Sequence, residues 1–213
     1  MRLLSVLITF LAFSVSLFAQ NDRKAEKVLK DVSKRYEKAK GIKAAFTIVT
    51  YNGVDKSKSS EKGTIYIRGN NFRLEIAGQE IFCDGKTIWT YQKVVNEVQI
   101  NNYESSENEL NPANLFTMYS KGYFYKLDGE VKEGAKIYTV VELAPKDKNK
   151  QFHKVKILVD KANNAIYSSE IRYKNGNIVT YTINSQDLNQ KFDKNFFTFN
   201  SGSHKGLIVT DLR

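Results

Sequence analysis

Five strand-length segments follow one another without room for anything else between them: GTIYIRG, NFRLEI, EIFCD, KTIWTYQK and NEVQIN, running from Gly63 to Asn101. The breaks are Gly69-Asn70-Asn71, Ala77-Gly78-Gln79, Asp84-Gly85 and Val95-Asn96. Connections this short cannot carry a chain over to a parallel neighbour, so consecutive strands must run antiparallel as a meander. The same period-two pattern precedes them in Ile42, Ala44, Phe46 and Ile48, which end at an Asn52-Gly53 turn signal. It returns in YFYKL, AKIYTVVEL, HKVKILVD, AIYSSEIRYK and NIVTYTIN, with turns at Asp128-Gly129, Asn163-Asn164 and Asn175-Gly176.

Two stretches switch to a helical period. From Asp22, the residues Ala25, Val28, Leu29, Val32, Tyr36 and Ala39 recur every three or four positions, with Asp22 placed to cap the start and Gly41 to end it. Asn111-Pro112 opens a second pattern in which Leu115, Phe116, Met118 and Tyr119 are apolar and Gly122 closes it. With 213 residues, 41% of them apolar, the chain is long enough to bury one sizeable core. The expected fold is mainly β (α+β): one large curved antiparallel sheet of about ten strands, its apolar concave face covered by a lid of two or three helices.

The N-terminus has its own logic. Arg2 is followed by an uncharged run, Leu3 to Phe18, and then by an abrupt polar change behind Ala19. This reads as a signal peptide, residues 1–19, cleaved after Ala19 to leave one exported domain over 20–213. A retained anchor is the alternative. Loss of Arg2 lowers the formal charge from +10 to +9, so the exported chain stays strongly basic and favours anionic partners. Its lysines are scattered rather than gathered in an arginine-rich tract, and an exported protein rarely meets nucleic acid, so nucleic acid is not expected as a partner. The single cysteine, Cys83, reads as a small buried hydrophobe.

Catalysis finds little support. His153 and His204 sit in no nucleophile motif, two isolated histidines and one cysteine lack ligand spacing for a metal, and no pair of carboxylates is placed at a site. No enzyme activity, catalytic residue, metal or cofactor is expected. Periodicity leaves open whether the apolar trough is packed solid or hollow, because any sheet protein has an apolar face.

Taken in order, the amphipathic first helix, GTIYIRGNNFRLEI, CDGKTIWTYQKVVNEVQI, the Asn-Pro helix, FDKNFFTF and IVTDLR resemble the periplasmic lipoprotein carrier family, LolA. The likeness spans nearly all of the expected mature chain. It implies an unclosed β-barrel with a helical lid: a monomeric carrier that takes acylated lipoproteins from an inner-membrane lipoprotein-releasing ABC transporter and delivers them to the outer membrane, with an outer-membrane receptor as a further partner. Such a carrier is physically reasonable: exposing a ~16-carbon acyl chain to water costs about 12 kcal/mol, at about 0.8 kcal/mol per methylene. Its grip should be broad and apolar.

On that reading the acyl cavity candidates are Phe46, Ile48, Ile65, Ile67, Phe72, Leu74, Trp89, Tyr91, Leu115, Phe116 and Met118. Trp89 and Tyr91 share one face of their strand and serve either as packing or as acyl contacts. Members of the family place an arginine after the Gly-x-Ile-x-Ile-like strand to hold the lid shut. Arg68 and Arg73 are the latch candidates here, with ordinary solvated strand residues as the alternative. Two rival functions remain: a binder of another lipid or glycolipid, and a sensor of stray lipoprotein, which usually belongs to a longer chain with a regulatory domain.

Overall fold

A computed structural model describes residues 22–103, 116, 119 and 122–213. The first element is α1, Arg23–Glu37, whose start is capped by the Asp22 carboxylate accepting from the Lys24 and Ala25 N–H groups. Its buried residues, Ala25, Leu29, Val32 and Tyr36, fall at the spacing that puts them on one stripe. Strands β1 (Ile42–Tyr51), β2 (Lys58–Arg68), β3 (Asn71–Ile76), β4 (Gln79–Cys83), β5 (Thr87–Gln92) and β6 (Glu97–Asn102) follow. Beyond residues 104–115 come β7 (Tyr123–Glu133), β8 (Lys136–Pro145), β9 (Phe152–Asp160), β10 (Ala165–Tyr173), β11 (Ile178–Asp187) and β12 (Ile208–Asp211).

Among the described residues these form a single sheet of 12 strands, in the order β12-β6-β5-β4-β3-β2-β1-β11-β10-β9-β8-β7. The expected meander is present from β1 to β6 and again from β7 to β11, and β1 pairs antiparallel with β11 to join the two runs. β12 and β7 are opposite edges and do not pair, so the sheet is unclosed. One pairing departs from the antiparallel expectation: β12 runs parallel to β6, from Ile208 beside Glu97 to Asp211 beside Ile100. A short hairpin could not produce that arrangement. The chain after β11 instead crosses a face of the sheet before its last strand, and that long crossover reverses the strand's direction.

The expected lid of two or three helices is not what the described residues contain. They hold one α-helix, α1, together with a 3-10 turn at Ser201–Ser203. The second expected helix falls mostly outside the described residues, as do the expected signal peptide and the candidates Leu115 and Met118. Phe116 and Tyr119 are described and both are buried with α1: the Phe116 ring stacks on Tyr36 at 4.4 Å, and the Tyr119 hydroxyl lies 3.0 Å from the Ser169 hydroxyl. Among the described residues no helix is long and apolar enough to cross a membrane.

Two polar ties fix α1 to the sheet. At its start, the second Asp22 carboxylate oxygen accepts from the Leu127 N–H at 3.1 Å and the Asp22 N–H donates to the Tyr125 carbonyl, so the cap also grips β7. Near its end, the Tyr36 hydroxyl donates to Gln186 at 2.9 Å and accepts from the Ile166 N–H at 3.0 Å.

The Leu127 N–H, then that of Lys24, hold the Asp22 carboxyl below its ordinary range. Its stabilisation is therefore complete above the usual carboxylate range and is lost as pH falls through the depressed folded-state value. Asp22→Ala should cost ~1 kcal/mol at neutral pH, and the gap from the parent protein should close on acidification, read by urea unfolding across pH. Tyr36→Phe leaves the buried Ile166 N–H without its partner, and should cost ~1–3 kcal/mol in the same assay.

Candidate functional site

Cross-strand register decides which side chains share a face. Ile42 lies opposite Ile67, Ile67 opposite Phe72, Phe72 opposite Cys83, and Cys83 opposite Ile88. This row is on the face that α1 covers, since Ala25, Leu29, Val32 and Tyr36 belong to the same core as Ile42, Ile67, Phe72 and Cys83. Six of the expected acyl-cavity residues, Phe46, Ile48, Ile65, Ile67, Phe72 and Leu74, lie on this inner wall, and Phe116 packs with them.

The wall is not uniformly covered. Ile42, Ala44 and Phe46 are buried in β1, but Ile48, the next inward residue, is half-buried. Phe72 is buried in β3, while Leu74 and Ile76 are half-buried. Ile171 is buried and Tyr173 half-buried in β10; Ile183 is buried and Tyr181 half-buried in β11. All four strands change in the same direction, toward the end of the sheet where β1 finishes and β11 starts. The inner wall is therefore buried at one end and part-exposed at the other, where Ile48, Leu74, Ile76, Tyr173 and Tyr181 line a mouth beside Glu61, which lies opposite Ile48. Phe46 floors it, and a glycine makes this possible: a Cβ at Gly63 would stand 2.5 Å from the Phe46 ring and 2.8 Å from the Glu75 carbonyl.

Trp89 and Tyr91 are placed elsewhere. Trp89 lies opposite Phe82 in β4, Phe82 opposite Arg73 in β3, and Arg73 opposite Tyr66 in β2, a row on the outer face. There Phe82, Tyr91, Val98 and Phe199 form a second buried cluster, with Trp89, Ile100 and Leu207 packed against it. Of the two readings for Trp89, packing is the one its position fits; the inner-wall placement is corrected. The cause is the segment between β11 and β12, which crosses this face and lays down Phe192, Phe196, Phe197 and Phe199. Phe196 meets Tyr66 edge-on at 5.1 Å, Phe199 meets Phe82 at 5.6 Å, and His204 stacks on Phe199 at 4.7 Å.

Arg68 and Arg73 point to this outer face too. Arg68 donates to the Phe192 carbonyl at 3.0 Å and lies 5.0 Å from the centre of the Phe197 ring. Arg73 sits between the rings of Phe82 and Phe196 and pairs with Glu75 and Glu80, each at 2.9 Å. Burial pushes the Glu80 carboxyl up, but hydrogen bonding from Lys93 and the charge of Arg73 outweigh it and leave the group below its ordinary range. Both arginines thus fasten the aromatic crossover, on the face opposite α1.

Known proteins place this arrangement in a family. A profile described as outer membrane lipoprotein carrier protein LolA matches residues 37–200. The chain belongs to the LolA family. No curated protein matches it in a sequence search. Solved structures with the same fold include an uncharacterized conserved protein from Thermus thermophilus, at 13% identity and a TM-score of 0.59 over 88% of this chain and 99% of that one. Lipoprotein LppX from Mycobacterium tuberculosis, at 11% identity, has a TM-score of 0.53 over 81% of this chain and 100% of the other. A DUF1329 family protein from Desulfovibrio piger, at 10% identity, has a TM-score of 0.51 over 86% and 98%. Within this LolA-type fold the inner wall is the face of the sheet that shares a core with α1.

Cys83 reports on that wall. It is fully buried, and burial pushes its thiol up to about 11. At mildly alkaline pH the native thiol should react with a disulfide reagent roughly two orders of magnitude more slowly than in urea, because the attacking thiolate is scarce and shielded. Equal rates would show the buried end of the wall to be open.

Proposed function

We propose that this chain is exported to the periplasm after removal of residues 1–19, and that it carries acylated lipoproteins from an inner-membrane ABC transporter toward the outer membrane. The observation that supports this most directly is the partly uncovered apolar wall beneath α1, in a chain whose family profile is that of a lipoprotein carrier. The wall offers hydrocarbon contact from Phe46, Ile48, Ile65, Leu74 and Ile76 and a mouth at one end. Its role is binding. An acyl chain placed there exchanges water for apolar side chains over its whole length, a strong but non-directional attraction that permits release.

Mass spectrometry of protein extracted gently from the periplasm should find acylated peptide or intact lipoprotein bound. A triacylated lipopeptide should bind the purified protein, and the same peptide without its acyl chains should not. Leu74→Glu puts a charge on the part-exposed end of the wall and should weaken lipopeptide binding at least ~10-fold, with urea unfolding of the same variant separating lost binding from lost stability. Equal binding of acylated and unacylated peptide would remove the carrier reading. Recovery of a glycolipid or free phospholipid in place of lipoprotein would transfer the site to a different lipid cargo.

A further inference from the structure

The end of the sheet at which the wall opens is strongly basic. Three loops meet there. The β1–β2 tip touches the β10–β11 turn, where the Gly53 N–H donates to Asn177 at 3.0 Å. That turn touches the β8–β9 loop, where the Lys174 N–H donates to the Gln151 carbonyl at 2.9 Å and the Lys174 ammonium to the Lys148 carbonyl. Across residues 52–58, 146–151 and 174–177 these loops carry Lys56, Lys58, Lys146, Lys148, Lys150 and Lys174 against only Asp55 and Asp147. Both aspartates are engaged in their own turns, with Ser57 and Asn149.

Among the described residues the strand lysines Lys43, Lys62, Lys126 and Lys132 form no ion pair, while other lysines are neutralised. Lys154, Lys156 and Lys161 each pair with a carboxylate, of Glu142, Asp128 and Glu130. Among the described residues Lys56, Lys58, Lys146, Lys148 and Lys174 form no ion pair, so the rim keeps its positive field. Apolar side chains stand out from the same end. Val54 at the β1–β2 tip is 84% exposed, Val94 and Val95 at the β5–β6 tip are 93% and 52% exposed, and Phe124 at the start of β7 is 42% exposed. The β1–β2 hairpin also projects: Lys58 to Lys62 pair with β1 but extend past β3, whose last residue, Ile76, lies opposite Gly63.

We propose that this end of the molecule docks on an anionic phospholipid surface, the lysines at headgroup level and Val54, Val94 and Val95 inserted at the tips, with the acyl mouth facing the bilayer. Exposed apolar tips ringed by cations suit a lipid interface, which offers negative charge and hydrocarbon together. An acidic protein surface would meet the charge but leave the isolated valines in contact with water. The proposal rests on the carrier reading for the purpose of docking: a mouth held against a bilayer lets an acyl chain pass without crossing water.

The test is flotation of the periplasmically exported protein, its N-terminus verified by mass, with vesicles of phosphatidylcholine alone or mixed with phosphatidylglycerol. Binding should require phosphatidylglycerol and fall with added salt. Lys56→Gln, Lys58→Gln and Lys148→Gln together should lower partitioning by at least ~10-fold, since each lysine near such a surface contributes roughly fivefold. The same triple variant should keep full lipopeptide binding in solution, because none of the three lines the wall. An environment-sensitive dye at Val54→Cys should shift to the blue on anionic vesicles, whereas the dye at Asn70→Cys, at the opposite end, should not.

Equal binding to neutral vesicles, binding unaffected by the triple variant, or no binding at all overturns the proposal; the last outcome leaves the lysines to an acidic protein. Docking without lipopeptide binding would overturn the carrier reading alone, and lipopeptide binding without docking would overturn this one alone.

Discussion

The structure depends on a single sheet having something to cover each of its two faces, and on the two covers being unequal. Among the described residues, twelve strands in one sheet present more apolar surface than the 15-residue α1 hides, even with Phe116 and Tyr119 beside it. On the outer face the crossover after β11 supplies four phenylalanines, seals the cluster around Phe82, Tyr91 and Val98, and is pinned by Arg68 and Arg73. On the inner face the end near Ile42, Ile67, Phe72 and Cys83 is buried, in one core with α1, and the end near Ile48, Leu74 and Ile76 is half-covered. A packed outer side gives the strands a rigid support, and a part-covered inner side leaves apolar area without a permanent partner. That imbalance is what the proposed binding role rests on.

Much of this architecture was legible because its causes are local. Turn pairs such as Asp84-Gly85 and Asn175-Gly176 fix antiparallel neighbours whatever the rest of the chain does, and the three- and four-residue spacing from Ala25 to Tyr36 fixes the buried stripe of α1. What could not be read came from distant pairing. β12 runs parallel to β6 because a segment of some twenty residues intervenes, and nothing within IVTD announces the direction of its partner.

The site divides along the same line. Alternation sorts Thr87, Trp89 and Tyr91 from Ile88 and Thr90, but assigns neither set to the inside. Size and aromaticity favoured Trp89 for the wall, yet the inward residue is Ile88, because the outer face acquires its own cover. The signal that could have reversed the choice was the density of phenylalanine between Phe192 and Phe199, too far from any turn to belong to the meander and too apolar to stay in water. Arg68 and Arg73 follow from it: alternating with Ile67, Phe72 and Leu74, they had to face whichever side Trp89 faced. Phe46, Ile48, Ile65, Ile67, Phe72 and Leu74 were readable as one set because each lies two residues, or one cross-strand step, from another.

Comparison of energies indicates how a hydrocarbon chain would reach the wall. Lifting α1 would expose Leu29, Val32 and Tyr36, each contributing roughly 1.5–3 kcal/mol by burial, and would break the bonds of Asp22 and Tyr36 to β7, β10 and β11. The total is of the same order as the ~12 kcal/mol that sheltering a ~16-carbon chain returns, so entry by that route would consume most of the gain. Entry at the mouth breaks none of those contacts, because Ile48, Leu74, Ile76, Tyr173 and Tyr181 are already partly in water. Covering them adds favourable burial to that of the guest. The polar ties of α1 to β7, β10 and β11 thus favour entry at the part-exposed end, where no cover has to be moved.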